Sequence, residues 1–93
     1  MNSLIYKAVT EARMLSFWYK GARRLAEPHT YGRRHSGGDG LCAWQVEGGS
    51  GEAFRLFLVD DMSQIDCLDQ HFPSARPGYR PGDRQFSTIY AEL

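Results

Sequence analysis

Six side chains of this chain are of types that could do chemistry together: Tyr19, Arg24, Glu27, His29, Tyr31 and Arg55. Arg24 and Arg55 fall on two different predicted strands. Each is flanked by aromatic residues, Tyr19 and Tyr31 in the first case, Phe54 and Phe57 in the second. Two guanidinium groups brought together among rings repel each other unless an anion or an acidic side chain lies between them. One outcome is an anion pocket, with phosphate on the arginines and a base or other flat ring stacked on Tyr or Phe. The other is internal ion pairing, for instance of Arg24 or Arg55 with Glu27 or Asp61. The candidate ligand-binding set is therefore Tyr19, Arg24, His29, Tyr31 and Arg55.

Signals for catalysis are scarce, and the expectation is a protein that is not an enzyme and needs no cofactor. Asp60-Asp61 is a paired carboxylate, but it falls at a predicted turn, where Asp is common for backbone reasons. Nothing resembles a nucleophile elbow, a phosphate-binding glycine loop leading into Lys-Ser/Thr, or a zinc signature. Gly37-Gly38-Asp39-Gly40 joins strands rather than opening a helix and reads as a hairpin loop. His29, His35 and His71 lack the partner spacing of a metal site. Cys42 and Cys67 sit far apart among apolar neighbours, as small buried side chains of a reducing compartment rather than a disulfide.

Eleven Lys+Arg balance eleven Asp+Glu, but they are unevenly placed. Residues 1–40 carry a net charge of +4, residues 41–72 a net of −5, and the remainder +1. A neutral total of this kind can hold a basic face and an acidic face. Nine of the eleven cations are arginine, the side chain that pairs bidentately with phosphate or carboxylate and stacks on flat rings.

The elements that must position these residues can be read in order. Leu4, Ile5, Ala8, Val9 and Ala12 recur at helical spacing behind Asn2 or Ser3 as cap. Leu15 to Tyr19 alternates and is aromatic, a strand; Lys20-Gly21-Ala22 is a turn; Arg24 to Tyr31 returns as a second strand, with Pro28 at an edge or a bulge. Residues 32–40, with four glycines and no apolar side chain, read as a mobile loop. Leu41–Val46 and Ala53–Val59 form a hairpin through Gly48-Gly49-Ser50-Gly51, Asp60-Asp61 turns, and Met62–Leu68 is a short strand or a turn of helix. Residues 73–82 carry Pro and Gly every few positions and cannot be regular. Asp83 could cap a final helix with Phe86, Ile89, Tyr90 and Leu93 on its apolar face; the alternative is a strand, favoured by Thr88, Ile89 and Tyr90.

A chain of 93 residues holds one small domain. A helix followed by about five short strands predicts a mainly β fold, a small, partly open antiparallel barrel of the SH3-like or Sm-like kind, with a short C-terminal helix possible. Residues 1–72 would form the helix and barrel, and 73–93 a Pro/Gly-rich segment and terminal element packed on the same domain. No stretch has the roughly 20 apolar residues of a membrane helix. The first residues meet charge at Lys7 too soon for a secretory signal, so the expected location is cytoplasmic.

Two segments resemble those of WYL domains. Tyr19, four residues, then Arg24-Leu25-Ala26-Glu27-Pro28 is similar to the family's Y-x4-R-x-V-x-P segment. Phe54-Arg55-Leu56-Phe57-Leu58-Val59-Asp60-Asp61-Met62 resembles its later FR-x-F-x-x-x-R-I segment. The likeness spans about residues 4–72, and Pro77-Gly78-Tyr79 with Gly82-Asp83-Arg84 resembles the end of short stand-alone members. It implies an SH3-like barrel that senses a nucleic acid or nucleotide-like ligand, usually within bacterial transcription regulators or defence systems. It also implies ligand contacts at Tyr19, Arg24 and Arg55, to which local chemistry adds His29 and Tyr31. Two departures stand out. The Trp-Tyr-Leu triplet is replaced by about Leu41-Cys42-Ala43, with Trp44 one step further on, and Asp61 stands where the family has Arg, which leaves a smaller ligand open.

Two functions are thus expected to compete. The first is a binding module for single-stranded nucleic acid or a nucleotide, in which Arg24 and Arg55 hold the anion. The second is a protein-interaction or assembly module, in which oppositely charged faces meet a partner chain or a second copy and there is no nucleic-acid ligand.

Overall fold

Helix α1, Ser3–Thr10, begins where Asn2 caps it: the Asn2 Oδ1 accepts from the backbone N–H groups of Leu4 at 2.9 Å and Ile5 at 3.1 Å. Ile5, Ala8 and Val9 are its buried stripe. The computed structural model describes residues 1–93, and after α1 six strands follow: β1 Arg13–Tyr19, β2 Ala22–Arg34, β3 Asp39–Glu47, β4 Ala53–Leu58, β5 Met62–His71 and β6 Phe86–Glu92. A single 3-10 turn, Val59–Asp61, joins β4 to β5. No helix is long and apolar enough to cross a membrane.

The sheet is antiparallel, in the order β4-β3-β2-β1-β5, with β6 added to β2. The thirteen-residue β2 carries it: its first half pairs with β1, its second half with β6 on that same edge, and β3 lines the other edge. Pro28, which has no N–H to give, sits between Ala26, the last partner of β1, and Thr30, the first of β6, at a register shift against β3.

The sheet curls into a partly open barrel, as the cross-sheet contacts require. Strands β1 and β4 are separated by two others, and neighbouring strands lie about 4.8 Å apart. A flat sheet would hold β1 and β4 about three times that far apart. Instead the ring of Phe57 on β4 lies 4.9 Å from Phe17 and 5.0 Å from Tyr19, both on β1, and the Tyr19 hydroxyl accepts from Leu58 N–H at 3.1 Å. No ladder joins β4 to β5, so the barrel stays open there. Phe17, Leu15, Ala26, Tyr31, Leu41, Ala43 and Phe57 fill the interior, and α1 packs against β1, β2, β5 and β6.

Three expectations need correction. The C-terminal segment is strand β6, not a helix: the second half of β2 needs a partner on its free edge, and β-branched and aromatic residues at 88–90 suit it. Asp83 caps a turn instead, its Oδ1 accepting from Gln85 N–H at 2.9 Å. The 32–40 segment is not a loop throughout, since β2 runs to Arg34, β3 starts at Asp39, and Gly32 and Gly40 face each other in the ladder. A Cβ on Gly32 would overlap the Thr88 carbonyl of β6, so glycine there serves close backbone approach. Finally, Cys42 and Cys67 are free, as read, but half-buried rather than buried.

Candidate anion-binding site

The turn Lys20-Gly21, the end of β1, the start of β2, the Gly48–Gly51 loop and β4 meet at one end of the barrel. They enclose a pocket of about 500 Å³ lined by Tyr19, Lys20, Arg24, Gly49, Ser50 and Phe54 to Phe57. Arg24 and Arg55 therefore share one pocket. With Lys20 they give it three cations, and no acidic side chain lines it. Neither arginine forms an ion pair: the guanidiniums that do are Arg13, with Glu11 and Asp69, and Arg76, with Glu27.

Neutral groups hold Arg24 in place. Its Nη1 donates to Gln45 Oε1 at 2.7 Å and its Nη2 to the Tyr19 carbonyl at 3.1 Å. The guanidinium lies 5.5 Å from the centre of the Tyr19 ring and 6.0 Å from that of Phe57. Gln45 is completely buried, and its Nε2 donates to the carbonyls of Gly48 at 2.7 Å and Gly51 at 2.6 Å, so one amide fixes both the arginine and the loop beside it. The loop lies flat on the side chain. Gly49 has a φ of +54°, and a Cβ there would overlap Arg24 Nη1. Arg55 is held by Ser50 Oγ. The Nε–H groups of Arg24 and Arg55 are both out of solvent and donate to no protein atom.

The structure separates the other two expected residues from this pair. Tyr31 is completely buried; its hydroxyl accepts from Asn2 N–H at 2.6 Å, tying the helix cap to β2, and burial pushes its pKa up. His29 is also completely buried, but on the outer face of the sheet. Its Nδ1–H donates to the Glu27 carbonyl at 2.7 Å and its Nε2 accepts from Arg76 N–H at 3.0 Å, which fixes the neutral tautomer. Burial, above all, holds its pKa below the ordinary value. Phe72 stacks on the ring, and Phe54 and Tyr79 meet it edge-on.

Residues 73–85 cross that outer face as a strap. Arg76 anchors it with two hydrogen bonds to Glu27, Nε to Oε1 at 2.8 Å and Nη2 to Oε2 at 2.9 Å, and lies 5.2 Å from the centre of Trp44. Glu27 thus pairs with Arg76, not with Arg24 or Arg55. Between strap and sheet lies a second cleft of about 1030 Å³, whose cations are Arg55, Arg80 and Arg84. Its one carboxylate, Asp83, accepts from Gln85 and from the Cys42 thiol, whose pKa is pushed up to about 12, chiefly by burial. Sequence reasoning missed Lys20, Gln45, Arg80 and Arg84 as site residues. Lys20 was legible as the neighbour of Tyr19; the strap arginines were not, because irregular chain has no period to place them. No group of three His, Cys, Asp or Glu side chains comes together as a metal site.

Comparison of the chain with protein-family models, with curated proteins and with solved structures gave no match.

Proposed function

We propose that this chain is a non-catalytic, WYL-like binding module that takes an anionic ligand, a nucleotide or a short run of single-stranded nucleic acid, in the pocket at the barrel mouth. One observation carries this reading: Arg24 and Arg55 line the same pocket, held by neutral acceptors, with no carboxylate to neutralise them. A guanidinium oriented by an amide and a carbonyl keeps its full charge for a ligand. A phosphate bound in the pocket would meet these charges directly, with no carboxylate competing for them. Tyr19 and Phe57 are already engaged under Arg24, and Phe54 packs on His29 and Trp44 at the outer face, so the pocket offers charge rather than a free ring to a ligand. Asp61 lies in the 3-10 turn, outside the pocket lining, so the pocket keeps its three cations despite the missing family arginine. With three cations the pocket suits one or two phosphates better than a long strand. The resemblance adds the role, a ligand-sensing part of a bacterial transcription regulator.

The test is binding of a fluorescein-labelled oligothymidylate and of a labelled mononucleotide at low salt. Three phosphate contacts to a single strand predict a log-log salt slope of about −2, falling by about 0.7 in Arg24→Ala. Absence of binding by either probe at low salt would sink the reading. Binding of the mononucleotide alone would fix the ligand as the small one.

A further inference from the structure

The open barrel leaves unpaired strand edges at β4, β5 and β6, and those of β5 and β4 differ. The outer edge of β5 is irregular: its register against β1 shifts twice, Gln64 takes a φ of +50°, and Asp66 and Asp69 are exposed along it. Bulges and acidic side chains are how natural sheets prevent unwanted pairing. The outer edge of β4 has none of these. Its sequence is Ala-Phe-Arg-Leu-Phe-Leu, it contains no proline, and its register against β3 runs unbroken from Ala53 to Leu58. Leu58 N–H points away from β3, to Tyr19, so by strand alternation the backbone groups of Leu56 and Phe54 also point outward. No hydrogen bond within the chain reaches them, either from the strap or from β5.

Cations flank this edge on both faces. Arg55, with Lys20 and Arg24, lies on the mouth side; Arg80 and Arg84 rim the outer cleft, whose floor is the apolar pair Phe54 and Leu56. We infer that the β4 edge is a docking site for an extended, acidic peptide segment of a partner protein. That segment adds as a strand to Phe54–Leu56 and places acidic side chains against Arg80 and Arg84. Its backbone supplies the alternating donors and acceptors that the edge lacks, while successive side chains pass to the outer cleft and to the mouth. A nucleic acid has no such backbone to offer. A second copy pairing β4 with β4 would bring two sets of the same cations together, and the irregular β5 edge is a poor strand to add. The inference stands on the backbone edge and the outer cleft, so it holds whether or not the mouth binds a nucleotide.

The experiment uses the full chain and two labelled octapeptides of alternating Glu and Val, one in each alternation frame. Binding is followed by fluorescence anisotropy, and amide hydrogen exchange is read residue by residue. The expected result is saturable one-to-one binding by at least one frame, with slowed exchange at Phe54 and Leu56. Affinity should fall at least tenfold in the double variant Arg80→Ala/Arg84→Ala and by less than that in Arg24→Ala, the variant that should weaken nucleotide binding tenfold to a hundredfold. Both variants touch half-exposed or exposed side chains, and a thermal melt confirms that they fold. Three results would each overturn the inference. One is no binding in either frame. Another is binding without protection of Phe54 and Leu56. The third is protection of the same two amides in the free chain as its concentration rises, which would give the edge to a second copy.

Discussion

Arg76 and Arg24 lie over aromatic rings at nearly the same distance, 5.2 Å from the centre of Trp44 and 5.5 Å from that of Tyr19. The acceptors that hold them make them different devices. Arg76 meets a carboxylate buried to 7% exposure, both oxygens engaged, and its charge is spent on pinning the strap to the outer face. Arg24 meets an amide oxygen and a backbone carbonyl, which orient the fork but leave its charge in force. The difference teaches that an arginine's neighbours matter less than their charge. An arginine paired with a carboxylate is a structural clamp, and under the proposed function the one held by neutral oxygens keeps its charge for an anion.

The sharpest way to break this contrast is to exchange the outcomes of the two truncations. Arg76→Ala leaves the Glu27 carboxylate buried without a partner and should lower Tm by roughly ten degrees, allowing for the partial exposure of the arginine. Adding Glu27→Gln should recover part of that loss, and anion affinity should stay within about twofold, because nothing at the mouth has changed. Arg24→Ala should do the reverse, costing about tenfold to a hundredfold in anion affinity while Tm moves by only a few degrees. Equal effects of the two on Tm would mean that both arginines are structural.

A smaller effect sharpens the mouth side. Gly49→Ala forces a Cβ onto Arg24 Nη1 at a backbone conformation that alanine resists, and should weaken anion binding about fivefold by displacing the guanidinium without removing it. The smallest effect belongs to the strap. His29 is neutral in the folded chain, with a pKa held below its ordinary value by burial, so the unfolded chain takes up the proton first as pH falls. Stability is therefore full above about pH 6.5 and declines below it, where a protonated Nε2 can no longer accept from Arg76 N–H. Thermal melts between pH 8 and pH 5 should show that decline, and His29→Gln should flatten it.

Much of the fold was legible in the residues because local signals agreed with one another. Asn2 ahead of the Leu4–Val9 pattern, the alternation from Leu15 to Tyr19, and the glycine turn at 48–51 each point to one structure. Phe86, Ile89, Tyr90 and Leu93 misled because four apolar residues can match a helical period while their extended preference and an unpaired stretch of β2 decide for strand. The glycines of 32–40 misled because strand glycine, needed where β6 approaches β2, looks like loop glycine in a list of residues. At the site, Tyr19, Arg24 and Arg55 were legible as a set. His29 and Tyr31 are close to them in sequence, but strand alternation puts His29 on the outer face with Glu27, and the register shift between Pro28 and Thr30 brings Tyr31 into the core. Whether Glu27 would neutralise Arg24 depended on where Arg76 lands, 49 residues away.

The central claim is that the mouth arginines are free to take an anion and the strap arginine is not. Nitrogen-15 spectra resolve arginine Nε–H groups one by one, so the direct test is to follow Arg24, Arg55 and Arg76 while inorganic phosphate, and then a mononucleotide, is added at low salt. The account predicts saturable shifts of Arg24 and Arg55 with a common dissociation constant, lost on raising the salt, and an Arg76 signal that does not move. Unmoved signals from Arg24 and Arg55, or a shift of Arg76 as large as theirs, would contradict it.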